Sequence, residues 1–196
     1  MTLTWQVGDE AKLARAWASA TPFAHVVIED AVADPDVLLA ILEDEAVERY
    51  EGEIALFDAS APEPATPDFA RVRDAFAATY APALSRITGK PVRTVDMRAY
   101  AYRPGNYLLP HTDHQDGLAR VLAYAYYLPS PEPPIGGELE LFACTLRDGE
   151  IVGVEAGRMI EPRANRLVVF DVGDGSLHRV CEVLGGLRLS LAGWFY

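Results

Sequence analysis

The chain has 196 residues, half of them hydrophobic, and a formal net charge of −12, which suits one domain with a single core. The negative balance argues against a nucleic-acid partner, because binding phosphates needs clustered lysine and arginine. It is compatible with a small molecule, a peptide or a protein as substrate. No apolar run approaches the roughly 20 residues of a membrane span, and the acidic N-terminus does not resemble a signal peptide. With Cys144 and Cys181 expected as free thiols, we predict a cytoplasmic protein that is not attached to a membrane.

The first half of the chain carries mainly helical signals. Residues 23–28 predict a strand, and Asp34 followed by proline predicts the start of a helix. A second apolar stripe with helical spacing occupies residues 72–87, and Gly89 is placed to end it. Pro82 lies within this stripe, so we expect a kink or a break there.

A segment rich in proline and alanine separates these two helices. Residues 58–68 contain three prolines, several small side chains and no aromatic residue. Little burial can therefore offset the entropy of ordering this segment. We expect a mobile loop.

The second half of the chain reads as a series of short strands divided by turns. The β-prone runs are residues 92–102, 118–128, 138–142, 167–172 and 187–196. About eight short strands behind a helical layer predict a double-stranded β-helix, or jelly roll. We expect one domain over residues 1–196, with helical support in about 1–90 and the jelly-roll core in about 91–196.

One constellation in this half is typical of a metal site. His111 and Asp113 are separated by one residue, and on a strand that spacing puts both side chains on one face. A distant His178 would complete a facial triad of two histidines and a carboxylate, the set that binds non-haem iron.

A basic residue follows the second histidine of this triad and is a candidate for binding an anion. Arg188 comes ten residues after His178, on the run that predicts the last strand. A guanidinium inside a barrel needs an anion, and arginine grips carboxylates through two parallel hydrogen bonds. Strand parity puts Ser190 on the same face as Arg188, so Ser190 is a second candidate for binding that anion.

Together these segments resemble the prolyl-4-hydroxylase-like branch of the Fe(II)- and 2-oxoglutarate-dependent dioxygenases. The resemblance covers residues 92–196 well and reaches loosely to the stretch before Pro35. Its matching pieces are residues 102–113 (YRPGNYLLPHTD), 126–128 (YYL), 136–139 (GGEL), 165–170 (NRLVVF) and the segment from His178 through Arg188 to Trp194.

The resemblance implies roles for individual residues. His111, Asp113 and His178 would bind Fe(II), Arg188 would hold the distal carboxylate of the cosubstrate 2-oxoglutarate, and Tyr127 would donate to the same carboxylate. The residues that would line the pocket are Tyr107, Leu139, Val180 and Trp194. The other cosubstrate would be O₂, with ascorbate as a candidate reductant.

The resemblance also implies a reaction. Related halogenases replace the carboxylate at the position of Asp113 with a small residue, so its presence favours hydroxylation of an unactivated C–H bond. A prolyl residue in a protein or peptide is the first choice of substrate, and a free amino acid or natural-product intermediate is the alternative. In the resembled family a loop between early strands closes over the substrate, a role we consider for residues 58–68.

Two other functional classes remain open from the sequence. A metal-dependent hydrolase could use His111, Asp113 and His114, although its longer histidine-rich signature is missing. A non-catalytic barrel could bind a small acid. His25 is expected to be an ordinary strand residue.

Overall fold

The computed structural model describes residues 3–42 and 44–196. Within them the chain forms three helices: α1 (Glu10–Ser19), α2 (Asp36–Leu42) and α3 (Pro67–Thr88). The side chain of Thr66 caps the N-terminus of α3 by accepting a hydrogen bond from the Phe69 amide, and Gly89 ends the helix in a left-handed conformation. No helix in the described part of the chain is both long and apolar enough to cross a membrane.

The expected break at Pro82 is wrong, because α3 runs through this residue. A proline inside a helix costs one hydrogen bond and a steric clash, about 3 kcal/mol. The helix buries an apolar face along its whole length, including Phe69, Phe76 and Leu84, which are fully inaccessible to solvent. Packing of this face outweighs the local penalty.

The described residues also form thirteen strands in two sheets. The bounds are β1 (His25–Ile28), β2 (Val47–Gly52), β3 (Ala55–Ser60), β4 (Arg98–Tyr102), β5 (Tyr107–His111), β6 (Leu122–Tyr127), β7 (Ile135–Gly136), β8 (Leu139–Arg147), β9 (Glu150–Ile160), β10 (Leu167–Asp171), β11 (His178–Val180), β12 (Val183–Gly185) and β13 (Arg188–Phe195). The large antiparallel sheet has the order β1-β10-β6-β13-β4-β3-β5-β11-β8-β9, with β2 added on β3, and β7 pairs with β12.

Several strand predictions need correction. The sequence predicted about eight strands, yet seven of the described strands lie outside the predicted runs: β2, β3, β5, β7, β9, β11 and β12. Two runs begin later than expected, because residues 92–97 and 118–121 are irregular apart from an isolated bridge at Val95. The strand predicted at residues 23–28 is present as β1, but the first half is less helical than predicted, because β2 pairs with β3, and β3 pairs with both β4 and β5.

Two neighbouring central strands show how the sheet separates a core from a cavity. On β6, Leu122, Tyr124 and Tyr126 face the helices, and the alternate residues face the other side. On β13, Leu191 and Phe195 belong to the helix-facing core. The opposite face of β13 presents its alternate residues to a cavity: Arg188, Ser190, Ala192 and Trp194.

The proline- and alanine-rich segment is shorter than predicted. Residues 58–60 belong to β3, and α3 begins at Pro67, so only 61–66 form the connection. The end of this connection is anchored by the buried Glu45, whose carboxylate accepts hydrogen bonds from the amides of Ala65 (3.1 Å) and Thr66 (2.7 Å). The prediction that residues 58–68 form one loop is therefore wrong at both ends.

Candidate metal centre

A cavity of about 440 Å³ opens on the face of the sheet opposite the helices. Its wall includes the ends of β5, β11 and β13 and the hairpin of β2 and β3. The hairpin contributes Tyr50, Ile54 and Phe57, whereas no residue of 58–68 lines the cavity. The hairpin, rather than the segment considered from the sequence as a cover, therefore lines the mouth of the cavity, and the covering role of residues 58–68 stays a prediction.

His111, Asp113 and His178 meet in this cavity. Nε2 of His111 lies 3.7 Å from Oδ1 of Asp113, and Nε2 of His178 lies 3.4 Å from Oδ2. One ligand atom from each residue falls within 4.8 Å of the others, close enough to share one ion. The sequence predicted a strand under both residues of the first pair, but β5 ends at His111 and Asp113 lies in the following loop.

Main-chain carbonyls orient both imidazoles. Nδ1 of His111 lies 2.9 Å from the carbonyl oxygen of Leu109, and Nδ1 of His178 lies 2.9 Å from that of Ser176. A proton on each Nδ1 leaves Nε2 free to bind a metal, the usual arrangement of histidine ligands. Burial lowers the pKa of His178 to about 4, the nearby Asp113 opposing this, so its imidazole is neutral and available as a ligand at neutral pH.

Arg188 is a buried cation that has no carboxylate partner within the described residues. It is 3% exposed, its Nη1 donates to Oγ of Ser190 (3.3 Å), and its Nε has no hydrogen-bond partner. The guanidinium carbon lies 4.7 Å from the ring centre of Tyr102 and 5.0 Å from that of Tyr127. The Tyr127 hydroxyl is also buried without a partner. Unpaired buried groups of this kind are costly, and the carboxylate of 2-oxoglutarate would satisfy both.

The remaining predicted residues divide into two groups. Leu139, Val180 and Trp194 line the cavity as expected. Tyr107 lies on β5 opposite Leu56 of β3 and is not among the residues that line the cavity.

The sequence did not identify three further side chains of the wall on β4: Arg98, Tyr100 and Tyr102. They alternate along the strand, and that parity was the available signal. Arg120 is a fourth unpredicted residue of the wall. It precedes β6, and its guanidinium carbon lies 3.6 Å from the ring centre of Trp194. No local pattern marks it, because its place depends on a contact distant in sequence.

The other two histidines lie outside the triad. His114 is on the surface, with Nε2 3.3 Å from Asp174, so the metal set proposed for a hydrolase does not assemble. His25 lies on β1, where Nδ1 contacts the carbonyl oxygen of Phe23 (2.8 Å) and Nε2 contacts Nη1 of Arg158 (2.8 Å).

Several known proteins to which this chain is similar are prolyl hydroxylases. Prolyl 3-hydroxylase OGFOD1 of Mus musculus is 34% identical over 116 residues, which are 58% of this chain and 21% of the mouse protein. The chain thus spans about a fifth of that relative. A prolyl-4-hydroxylase of Pseudomonas putida has a similar structure, with a TM-score of 0.71, 22% identity and coverage of 95% of this chain and 98% of that one.

A third similar structure is a prolyl hydroxylase of Trichoplax adhaerens, solved with a peptide fragment of the hypoxia inducible factor oxygen degradation domain. Its TM-score is 0.69, with 15% identity and coverage of 95% of this chain and 88% of that one. The predicted double-stranded β-helix is confirmed. The model of the 2OG-Fe(II) oxygenase superfamily matches residues 97–196, which contain all three triad residues and Arg188. The chain belongs to the 2OG-Fe(II) oxygenase superfamily.

Proposed function

We propose that this chain hydroxylates a prolyl residue of a protein or peptide, using Fe(II), 2-oxoglutarate and O₂. The observation that carries the proposal is the triad in one cavity with the unpaired Arg188. The 34% identity to the mouse prolyl 3-hydroxylase over 116 residues supports the choice of a prolyl target.

In this proposal the metal and cosubstrates supply the oxidation. A C–H bond becomes C–OH while 2-oxoglutarate and O₂ give succinate and CO₂. His111, Asp113 and His178 would hold the metal, a donor set that suits iron with open positions. Arg188 would grip the distal carboxylate through two hydrogen bonds and so fix the orientation of the cosubstrate.

The walls around this centre would keep water from the reacting atoms. Ala123, Ala125 and Phe170 present apolar surface to the cavity beside the triad, and Phe170 lies 4.7 Å from the ring of His178. An apolar surround limits side reactions of the oxidant with solvent.

Turnover with candidate substrates tests the proposal. The protein would be incubated with Fe(II), 2-oxoglutarate and ascorbate in air, with prolyl peptides, free proline and other amino acids. We expect succinate together with 3- or 4-hydroxyproline from peptides, and amino-acid analysis distinguishes the two isomers. Asp113→Ala is the control without metal binding. Stoichiometric oxidation of a non-prolyl compound, with no hydroxyproline from any peptide, would reject the prolyl target and favour the small-molecule alternative.

A further inference from the structure

The cavity holds more positive charge than the cosubstrate needs. Besides Arg188, its wall contains Arg98 and Arg120, although the chain as a whole carries a net charge of −12. Within the described residues, neither arginine is ion-paired with a carboxylate. Among the described residues, Asp113 is the one carboxylate of the wall, and its side chain faces the two histidines.

The two arginines reach the same part of the wall. Arg98 of β4 lies opposite Ala192 of β13, and Trp194 is two residues further along the same face. Such diagonal neighbours are roughly 7–8 Å apart. The guanidinium of Arg120 covers the ring of Trp194.

The guanidinium carbon of Arg98 lies 5.6 Å from the ring centre of Tyr100. Burial raises the pKa of Tyr100, the charges of Asp96 and Asp113 add to this rise, and those of Arg98 and Arg120 oppose it. Tyr100 also lines the cavity, so the two arginines and the phenol form one group on the wall.

Each arginine keeps donors that the fold does not use. Arg98 donates its Nε to the carbonyl oxygen of Ser60 (2.8 Å), and no bond from its terminal nitrogens to a described residue is found. Arg120 donates Nη1 to the carbonyl oxygen of Asp113 (3.2 Å), while its Nε has no partner. The buried indole N–H of Trp194 also lacks a partner.

The carboxylate of Asp96 is not a counter-ion for this pair. Its Oδ1 accepts the amide of Trp194 (2.5 Å) and its Oδ2 accepts the hydroxyl of Tyr196 (3.0 Å). Among the described residues Asp96 forms no ion pair with Arg120, although the charge of Arg120 opposes the rise that burial causes in the pKa of Asp96.

The Arg98–Arg120 pair is also distinct from the cosubstrate site. Arg188 and Ala192 are four residues apart on β13, about 13 Å along the strand, and Arg98 lies opposite Ala192. The cosubstrate carboxylate that Arg188 would hold is therefore remote from Arg98. Arg120 instead lies beside Asp113, on the metal side of the cavity.

We propose that Arg98 and Arg120 bind a carboxylate of the substrate, next to the carbon that is hydroxylated. Two guanidiniums with free donors in a partly enclosed cavity form an anion site, and the surrounding low dielectric strengthens it. The carboxylate belongs to a C-terminal prolyl residue or to an acidic side chain near the target ring. This inference rests on the proposed function and specifies its substrate.

Matched ligands that differ in one charge test the pair. Mn(II) would replace Fe(II) at saturating 2-oxoglutarate, and calorimetry would measure the binding of N-acetyl-L-proline and N-acetyl-L-prolinamide. A second matched pair is a short peptide with aspartate or asparagine after proline. We expect the carboxylate member of at least one pair to bind about ten- to a hundredfold more tightly, as for hydrogen bonds to a charged group.

Variants assign that preference to the two arginines. Arg98→Gln, and separately Arg120→Gln, should reduce it to about threefold or less and leave the affinity for the amide unchanged. Arg93→Gln is the matched control, because Arg93 is exposed and outside the wall, and it should keep the full preference. If Arg120→Gln does not fold, the comparison is made with Arg98→Gln alone.

Two results would overturn the inference: equal affinity for both members of each pair, including no detectable binding by either, or a preference that survives in both variants. Hydroxyproline formation is measured separately. A carboxylate preference without hydroxyproline from any prolyl probe would reject the prolyl target and leave the arginine pair standing. Equal hydroxylation of the carboxylate and amide probes, together with equal binding, would support the prolyl target and reject the arginine pair as a carboxylate site.

Discussion

Nε2 of His178 lies 3.4 Å from Oδ2 of Asp113, so the short strand β11 brings one metal ligand to another from the loop after β5. The register explains this meeting, since His178 is the direct partner of His111 across the β5–β11 pair. The positions of the three ligands therefore depend on the pairing of β5 with β11, and replacing any one of the three should impair metal binding.

Removal of the carboxylate should abolish metal-dependent function. In Asp113→Ala the anaerobic complex with Fe(II) and 2-oxoglutarate should lose its weak visible charge-transfer band, and succinate formation should fall at least about a hundredfold, because two imidazoles alone bind the ion poorly. Asp116→Ala changes an exposed aspartate outside the triad and should retain both signals. Full activity of Asp113→Ala and of His111→Ala would show that the metal is bound elsewhere.

Arg188→Lys should weaken the use of 2-oxoglutarate. Lysine keeps the charge but loses the paired hydrogen bonds, so the KM for 2-oxoglutarate should rise about ten- to a hundredfold while metal binding persists. Steady-state kinetics with Arg163→Lys, a change at an exposed arginine, gives the control. An unchanged KM in Arg188→Ala would contradict the assignment.

His25 should make the metal-free protein less stable in acid. Burial lowers the pKa of His25 below its ordinary value of 6.5. The folded protein then binds fewer protons at this residue than the unfolded chain, so the stabilisation is present above pH 6.5 and is lost as the pH falls below it. The free energy of unfolding, measured with urea at about pH 7.5 and 5.5, should fall more between these pH values for the wild type than for His25→Gln. Equal losses would mean that His25 is not the responsible group.

Glu45 should stabilise the start of α3. Its buried carboxylate accepts hydrogen bonds from two amides and from the Thr66 hydroxyl. Glu45→Ala leaves these donors without a partner, and we expect the free energy of unfolding to fall by about 1–3 kcal/mol. Glu48→Ala, at an exposed position of β2, should change it by less than about 0.5 kcal/mol. Equal urea midpoints for both variants would contradict this role.

The sequence was most informative where the chemistry of the side chains and their spacing along a strand point to the same site. The spacing of His111 and Asp113 and the parity of Arg188 and Ser190 predict a metal centre and a cosubstrate arginine, and these residues line one cavity in the structure. Strand parity depends only on alternation along the chain, which is why the predicted faces of β13 agree with the structure.

The other features of the fold and the site depend on contacts that local sequence patterns do not show. β9 has exposed apolar residues such as Val152 and Val154, so burial does not produce a strict alternation that would mark it as a strand. Arg120 reaches the cavity because Trp194, distant in sequence, supports its guanidinium. Composition predicted a mobile loop at residues 58–68, and the resemblance suggested that it covers the substrate, but Glu45 anchors the end of that segment and none of its residues lines the cavity.

The β2–β3 hairpin, rather than the connection at 61–66, should contact the substrate. Tyr50 is 52% exposed and stacks on Phe57 with ring centres 5.1 Å apart, and both line the cavity mouth with Ile54. An exposed aromatic supported in this way offers a large surface at low entropic cost. Tyr50→Ala should therefore raise the KM for the hydroxylated substrate about tenfold, an effect of about 1.4 kcal/mol.

Three comparisons isolate this contact. The KM for 2-oxoglutarate should not change in Tyr50→Ala, because Arg188 is on a different strand. Tyr50→Phe keeps the ring and should retain most of the affinity. Shortening the connection at 61–66 should leave substrate turnover normal, since none of its residues lines the cavity. Normal substrate kinetics in Tyr50→Ala together with impaired turnover in the shortened variant would return the covering role to that connection.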